Sequence, residues 1–65
     1  MSKEEVKIII ETRGEGKSFT AKVKNISARS GISEPALWNY LRDGVPARSK
    51  LIASVLSNFS ETASN

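Results

Sequence analysis

The stretch Asn25–Gly44, NISARSGISEPALWNYLRDG, decides the fold expected of this chain. It predicts two helical segments that meet at Gly31 with almost no loop between them, because Gly tolerates the left-handed backbone of a helix end. Ser33 is a good N-cap for the second segment, and Pro35 falls in its first turn, where a missing N–H costs nothing. The residues expected to point outward from this second segment suit neither a core helix nor a plain solvated one: Glu34, Pro35, Trp38 and Asn39.

A helix-turn-helix requires particular residue types at fixed offsets along such a stretch. Ser27 is the small residue needed where the second helix crosses the first, so we expect it to be buried against that helix. Gly31 suits the turn, Ile32 supplies the apolar residue just after it, and Leu37 supplies the apolar residue midway along the second helix. The alternative is an ordinary helical corner in a small all-α domain.

Helical patterns continue on both sides of this stretch. Residues 3–13 are predicted to form a helix. Ser2 and Glu5 form a capping-box pattern at its start, and apolar residues repeat at helical spacing along it. Residues 6–23 are also compatible with a β-hairpin, because β-branched residues surround a Gly-Glu-Gly centre. The helix is favoured by the capping box and the acidic first turn.

Three further helices are predicted, at about 21–30, 34–43 and 46–58. The N-cap of the first of these is Thr20 or Ser18. The last carries a wide apolar stripe, formed by Leu51, Ile52, Val55, Leu56 and Phe59.

Length and composition limit the classes of protein to which this chain can belong. The 65 residues suit one domain, which we place at residues 1–59, followed by a polar tail at 60–65 that is expected to fray. Cys and His are absent, which removes thiolate ligands, imidazole ligands and the commonest general base. The seven carboxylates show no spacing typical of a metal loop or an acid/base pair. We therefore expect no enzyme activity, no metal and no cofactor.

The charge balance is basic. The formal net charge is +3 and the pI is about 9.6, which is compatible with nucleic acid as a partner. No apolar run approaches the roughly 20 residues that span a bilayer. The polar, acidic start at residues 1–5 does not resemble a signal peptide, so we expect a cytoplasmic protein without a membrane partner.

The segment from about Val23 to Phe59 resembles the DNA-binding domain of the lambda Cro and 434 repressor family. GISEPALWNYLRDG followed by VPARSKLIASVL is similar to that family's turn, recognition helix, Gly-ended loop, basic residues and apolar fourth helix. The resemblance implies a compact all-α fold of four or five helices. It also implies a Cro-like phage repressor that binds double-stranded operator DNA as a homodimer in the cytoplasm of a bacterial host cell. A chain of this length suits a Cro-like regulator better than a two-domain repressor.

Base contacts are expected from the outward residues of the predicted helix 34–43. The Asn39 amide can both donate to and accept from an adenine edge. Glu34 either accepts from a cytosine amino group or is a helix-start carboxylate stabilised by the macrodipole. Pro35 offers only van der Waals contact, for example to a thymine methyl group. Trp38 either lies on the recognition surface or belongs partly to the core or to a dimer contact.

Contacts to phosphate and to a second copy of the chain are also expected. The resemblance implies phosphate contacts at the start of the second helix and in the loop after the third, which are Lys22, Arg48 and Lys50, with Arg42 near them. Ser33 is first of all a cap, and a phosphate contact is also expected of it. In the family, a Glu at the position of Arg42 often pairs with an Arg of the first helix. Either Glu11 or Glu15 is therefore expected to complete a reversed pair, unless Arg42 faces phosphate. Val55 and Phe59 are the predicted dimer contacts, although Phe59 is also suited to cover the first helix of its own chain.

Two other classes of function compete with this one. A protein-interaction module of antirepressor or antitoxin-like kind is favoured by the apolar Trp38 and the acidic Glu34 on the outer face. An excisionase-like architectural protein would bend DNA rather than compete at a promoter.

Overall fold

Four α-helices make up the described part of the chain. The computed structural model describes residues 1–62, with side chains as far as Phe59. The helices are α1 Lys3–Arg13, α2 Phe19–Ser30, α3 Glu34–Asp43 and α4 Lys50–Thr62, and residues 1–62 contain no strand. The all-α prediction is confirmed, and residues 6–23 form a helix and a loop rather than a β-hairpin. Of the predicted tail, residues 63–65 lie outside the described residues.

The N-terminal helix begins at the capping box that the sequence predicts. Ser2 Oγ accepts from the Glu5 N–H at 3.2 Å, and the Glu5 carboxylate accepts from the Ser2 N–H at 3.1 Å. Hydrogen bonding of the Ser2 backbone, and then of its side chain, to the Glu5 carboxylate holds the pKa of Glu5 below its ordinary value. Two N–H groups that a helix start leaves without partners are thus satisfied, which fixes the start of α1.

The connection between α2 and α3 is a turn of three residues, 31–33. Gly31 has φ 78°, ψ 3° and donates its N–H to the Ser27 carbonyl at 3.0 Å. Ile32 is buried, and Ser33 Oγ caps α3 by accepting from the Ala36 N–H at 3.3 Å. At the other end, α2 begins at Phe19 rather than Ala21, because Ser18 and not Thr20 is its N-cap.

The position of Ser27 differs from the prediction. Its side chain is only partly buried, and its Oγ donates to the Ile32 carbonyl at 2.6 Å. Ser27 therefore links α2 to the turn through this hydrogen bond, and it is not a fully buried residue of the crossing with α3.

We still expect Ser27→Leu to destabilise the protein, because a larger apolar side chain there loses the bond to Ile32 and overpacks the corner. The expected loss is about 1–3 kcal/mol in the free energy of unfolding. The measurement is the urea midpoint followed by circular dichroism. Ala28→Leu is the matched control, since Ala28 is the exposed neighbour. Equal midpoints for the two variants would show that Ser27 does not hold the corner.

The last helix begins later than predicted. Residues 46–49 form a turn, in which the Ser49 N–H donates to the Pro46 carbonyl at 2.9 Å, and α4 starts at Lys50. The Ser49–Pro46 bond spans three residues rather than the four of an α-helix, so the helix begins after this turn. Just before the turn, Val45 pairs with the chain start: the Val45 N–H donates to the Met1 carbonyl at 2.8 Å, and the Met1 amino group donates to the Val45 carbonyl at 3.2 Å.

The core lies between α1 and the other three helices, all of which pack against it. Its buried residues are Val6, Ile9, Ile10, Val23, Ile26, Ile32, Leu37, Val45 and Leu56. The predicted stripe on α4 is only partly inward, because Leu51 is 76% exposed. None of the helices within residues 1–62 has the length and apolar character needed to cross a membrane.

Candidate functional site

The outer face of α3 consists of Pro35, Trp38, Asn39 and Arg42. These residues follow the spacing i, i+3, i+4, i+7, and all four are exposed. Leu37 is buried on the opposite side of the helix. Three of the four predicted base-contacting residues therefore share one solvent-facing surface.

Glu34, the fourth predicted base contact, lies at the edge of this face. It is half-buried at the first position of α3, where a carboxylate is stabilised by the helix macrodipole. Ser33, a predicted phosphate contact, is exposed but already uses its hydroxyl as the cap of α3.

An aromatic contact holds one side of Trp38. The Phe19 ring, at the first position of α2, meets the indole in an edge-to-face arrangement with centroids 5.7 Å apart and planes at 60°. Trp38 keeps 41% of its surface exposed. Sequence reasoning left Trp38 divided between core and surface, and the side chain is in fact anchored on one side and open on the other.

Arg42 pairs with its neighbour rather than with α1. Its Nη2 and Nε donate to the same Asp43 carboxylate oxygen at 2.8 and 3.0 Å, so the expected pair with Glu11 or Glu15 is wrong. The bonds from Arg42 lower the pKa of Asp43, and the carboxylate raises the pKa of Arg42. Both side chains remain largely exposed, which leaves the guanidinium free to exchange Asp43 for another anion at little cost.

Lys22 is directed toward α1. Its Nζ donates to the Glu11 carbonyl at 3.1 Å, and the residue is half-buried. The phosphate contact of Lys22 stays a prediction. Lys24 is exposed and lies three residues before Ser27, so it shares the side of α2 that faces the turn into α3.

The predicted cations after α3 are free of partners in the described part of the chain. Arg48 is exposed in the turn 46–49, and Lys50 is exposed at the first position of α4. Neither side chain is held by a hydrogen bond or an ion pair among residues 1–62. Both are therefore available to an anionic partner.

Two lysines of α1 lie close to the end of α3. Lys3 and Lys7 border a shallow surface cavity together with Arg42, Leu41 and Glu4. The charge of Lys3 contributes to the lowered pKa of Asp43, which places it near that carboxylate. Only the packing of α1 against α3 brings these cations together.

The predicted dimer contacts lie on α4, beside the end of α2. Val55 and Phe59 are half-buried and line a cavity with Arg29 and Ser30. The Arg29 guanidinium lies 5.0 Å from the centre of the Phe59 ring, in a cation–π arrangement. Phe59 therefore already packs within its own chain, and its role in a dimer stays a prediction.

Comparisons with known proteins give no family: no family model, no curated protein and no solved structure matches this chain. Within the described residues, no group of three or more His, Cys, Asp or Glu side chains is arranged to hold a metal ion.

Proposed function

We propose that this protein is a sequence-specific DNA-binding transcriptional regulator of the lambda Cro and 434 repressor type, which acts as a homodimer on operator DNA in a bacterial host cell. In this proposal α2, the turn 31–33 and α3 form the helix-turn-helix, and α3 enters the major groove. The observation that carries it is the outer face of α3, where the polar Asn39 lies between Pro35, Trp38 and Arg42 on an exposed helix that directly follows a tight turn.

The distribution of charge supports a polyanionic partner. Residues 16–59 hold seven of the ten Lys and Arg residues but only two of the seven Asp and Glu residues. The α3 helix itself carries Glu34, Arg42 and Asp43, a net charge of −1. Affinity for DNA must therefore come from cations around the helix, of which Lys24, Arg48 and Lys50 are exposed.

Arg48→Ala tests the phosphate contacts. We expect it to weaken specific and non-specific DNA sites by similar factors and to reduce the slope of log K against log salt by about one unit. The measurement is a fluorescence-anisotropy titration at several salt concentrations. Lys22→Ala is the matched control, and it should change the slope less, because Lys22 is bound to α1. A changed base preference at one operator position would contradict a phosphate role for Arg48.

Asn39→Ala tests base recognition. Its side chain is exposed and has no hydrogen-bond partner within residues 1–62, so the change should leave folding intact. We expect a loss of about 1–3 kcal/mol on the preferred site and little change on random DNA, because the amide matches an adenine edge. The ratio of the two affinities is the readout, with the circular dichroism spectrum as the control for folding.

The proposal as a whole is tested by selection from random duplex DNA. Enrichment of two half-sites with centres about 10 base pairs apart, or a multiple of that, is the expected result for a dimer. Moving one half-site by about half a turn should then abolish tight binding. Unchanged affinity across that series, together with a silent Asn39→Ala, would rule out symmetric recognition through α3.

A protein-interaction module is the second candidate, favoured by the large apolar side chains at the surface. Ile8, Trp38 and Leu51 are 57%, 41% and 76% exposed. A gel shift against a genomic fragment library separates the two candidates. A protein-binding module should show no shift that survives competition by non-specific DNA.

A further inference from the structure

The aromatic pair Phe19–Trp38 joins α2 to α3 and places an apolar side chain on the outer face of α3. Phe19 is half-buried and is the first residue of α2. Its ring packs against the core. The ring also packs against one side of the indole, and the rest of the indole stays open to solvent. A large side chain that is both exposed and oriented can present a defined surface to a partner.

On the side of Pro35, the indole has a neighbour with little capacity for hydrogen bonding. Pro35, three residues earlier on the same face, is exposed and has no N–H. The indole itself offers a single donor and no acceptor. This half of the outer face is therefore suited to an apolar group. The major groove of DNA exposes one such group at base edges, the C5-methyl group of thymine.

We propose that Trp38 recognises a thymine C5-methyl group and that Phe19 is the positioning residue that holds the indole against it. The proposal rests on the proposed function and adds the chemistry of one base contact to it. Exposed cations on neighbouring parts of the chain favour DNA over an apolar peptide, since Lys24 on α2 and Arg48 in the loop after α3 are both exposed and could contact the DNA backbone. Asn39 then supplies a hydrogen-bonding contact, and Trp38 an apolar one.

The test uses the duplex obtained by selection, with each thymine replaced in turn by deoxyuridine, which lacks only the methyl group. For the wild-type protein we expect at least one replacement in each half-site to weaken binding about fourfold, the value of one buried methyl group. For Trp38→Ala the same replacement should have no effect. Asn39→Ala is the matched control from the same helix face, and it should keep the methyl sensitivity while binding more weakly.

The role of Phe19 is tested by two measurements together, the fluorescence of Trp38 and the sensitivity of binding to the thymine methyl group. Trp38 is the only Trp in the chain, so its fluorescence reports its surroundings alone. Phe19→Ala should shift the emission to longer wavelength and remove the methyl sensitivity, and Phe19→Tyr should restore both. A protein with normal emission and normal methyl sensitivity after Phe19→Ala would overturn the positioning role.

The failure of this inference is distinguishable from the failure of the proposed function. An enriched site that lacks thymine overturns the methyl contact alone, as does equal deoxyuridine sensitivity in wild type and Trp38→Ala. A selection that enriches no site at all overturns both proposals.

Discussion

Leu37→Ala is expected to leave much of the protein unfolded at 37 °C. Leu37 is fully buried in the middle of α3, and truncating such a side chain costs about 2–5 kcal/mol. A chain of 65 residues has a total stability of about 3–10 kcal/mol, so the loss removes a large share of it. The measurement is the thermal and urea midpoint followed by circular dichroism.

The control for Leu37→Ala lies two residues along the same helix. Asn39→Ala changes an exposed position, where substitutions usually alter stability by less than about 0.5 kcal/mol. The two variants together separate the inward side of α3, which holds the fold, from the outward side, which we assign to recognition. A melting temperature for Leu37→Ala equal to that of Asn39→Ala would contradict the burial of Leu37.

Gly44→Ala is expected to have the second-largest effect. Gly44 has φ 82° and ψ 174°, a region of backbone conformation that is essentially restricted to Gly. A Cβ atom there would also lie 3.0 Å from the Met1 carbonyl oxygen and 3.1 Å from the Lys3 nitrogen. We expect a loss at the upper end of about 1–3 kcal/mol, with loosening of the pairing between Met1 and Val45. Urea unfolding measures the loss, and amide hydrogen exchange at Val45 measures the loosening.

Gly31→Ala is the matched control, because Gly31 also has a positive φ, of 78°, but lies in the milder left-handed helical region. A Cβ atom there meets no heavy atom within 4 Å. Its expected cost is the backbone strain alone, about 1–2 kcal/mol. If Gly31→Ala destabilised the protein as much as Gly44→Ala, the close approach of Met1 and Lys3 would not be what constrains Gly44.

The bounds of α1 and α3 followed from the sequence by itself. Both agree with the prediction because their signals are local: Ser2 with Glu5 begins one helix, and Ser33 with Gly44 brackets the other. A cap bonds to groups within about four residues, so a short stretch of sequence contains both partners. The outward direction of Asn39 followed in the same way, from helical spacing alone.

The tertiary structure decided the surroundings of the proposed site. Three contacts show this: Val45 pairs with Met1 before the turn into α4, Lys22 donates to the Glu11 carbonyl, and Trp38 packs against Phe19. The partners in these contacts lie far apart in the sequence: 11 residues separate Lys22 from Glu11, and 44 separate Met1 from Val45. Helical periodicity assigns each side chain to a face, but which helix covers that face depends on how the helices pack, because the same apolar pattern fits several packings.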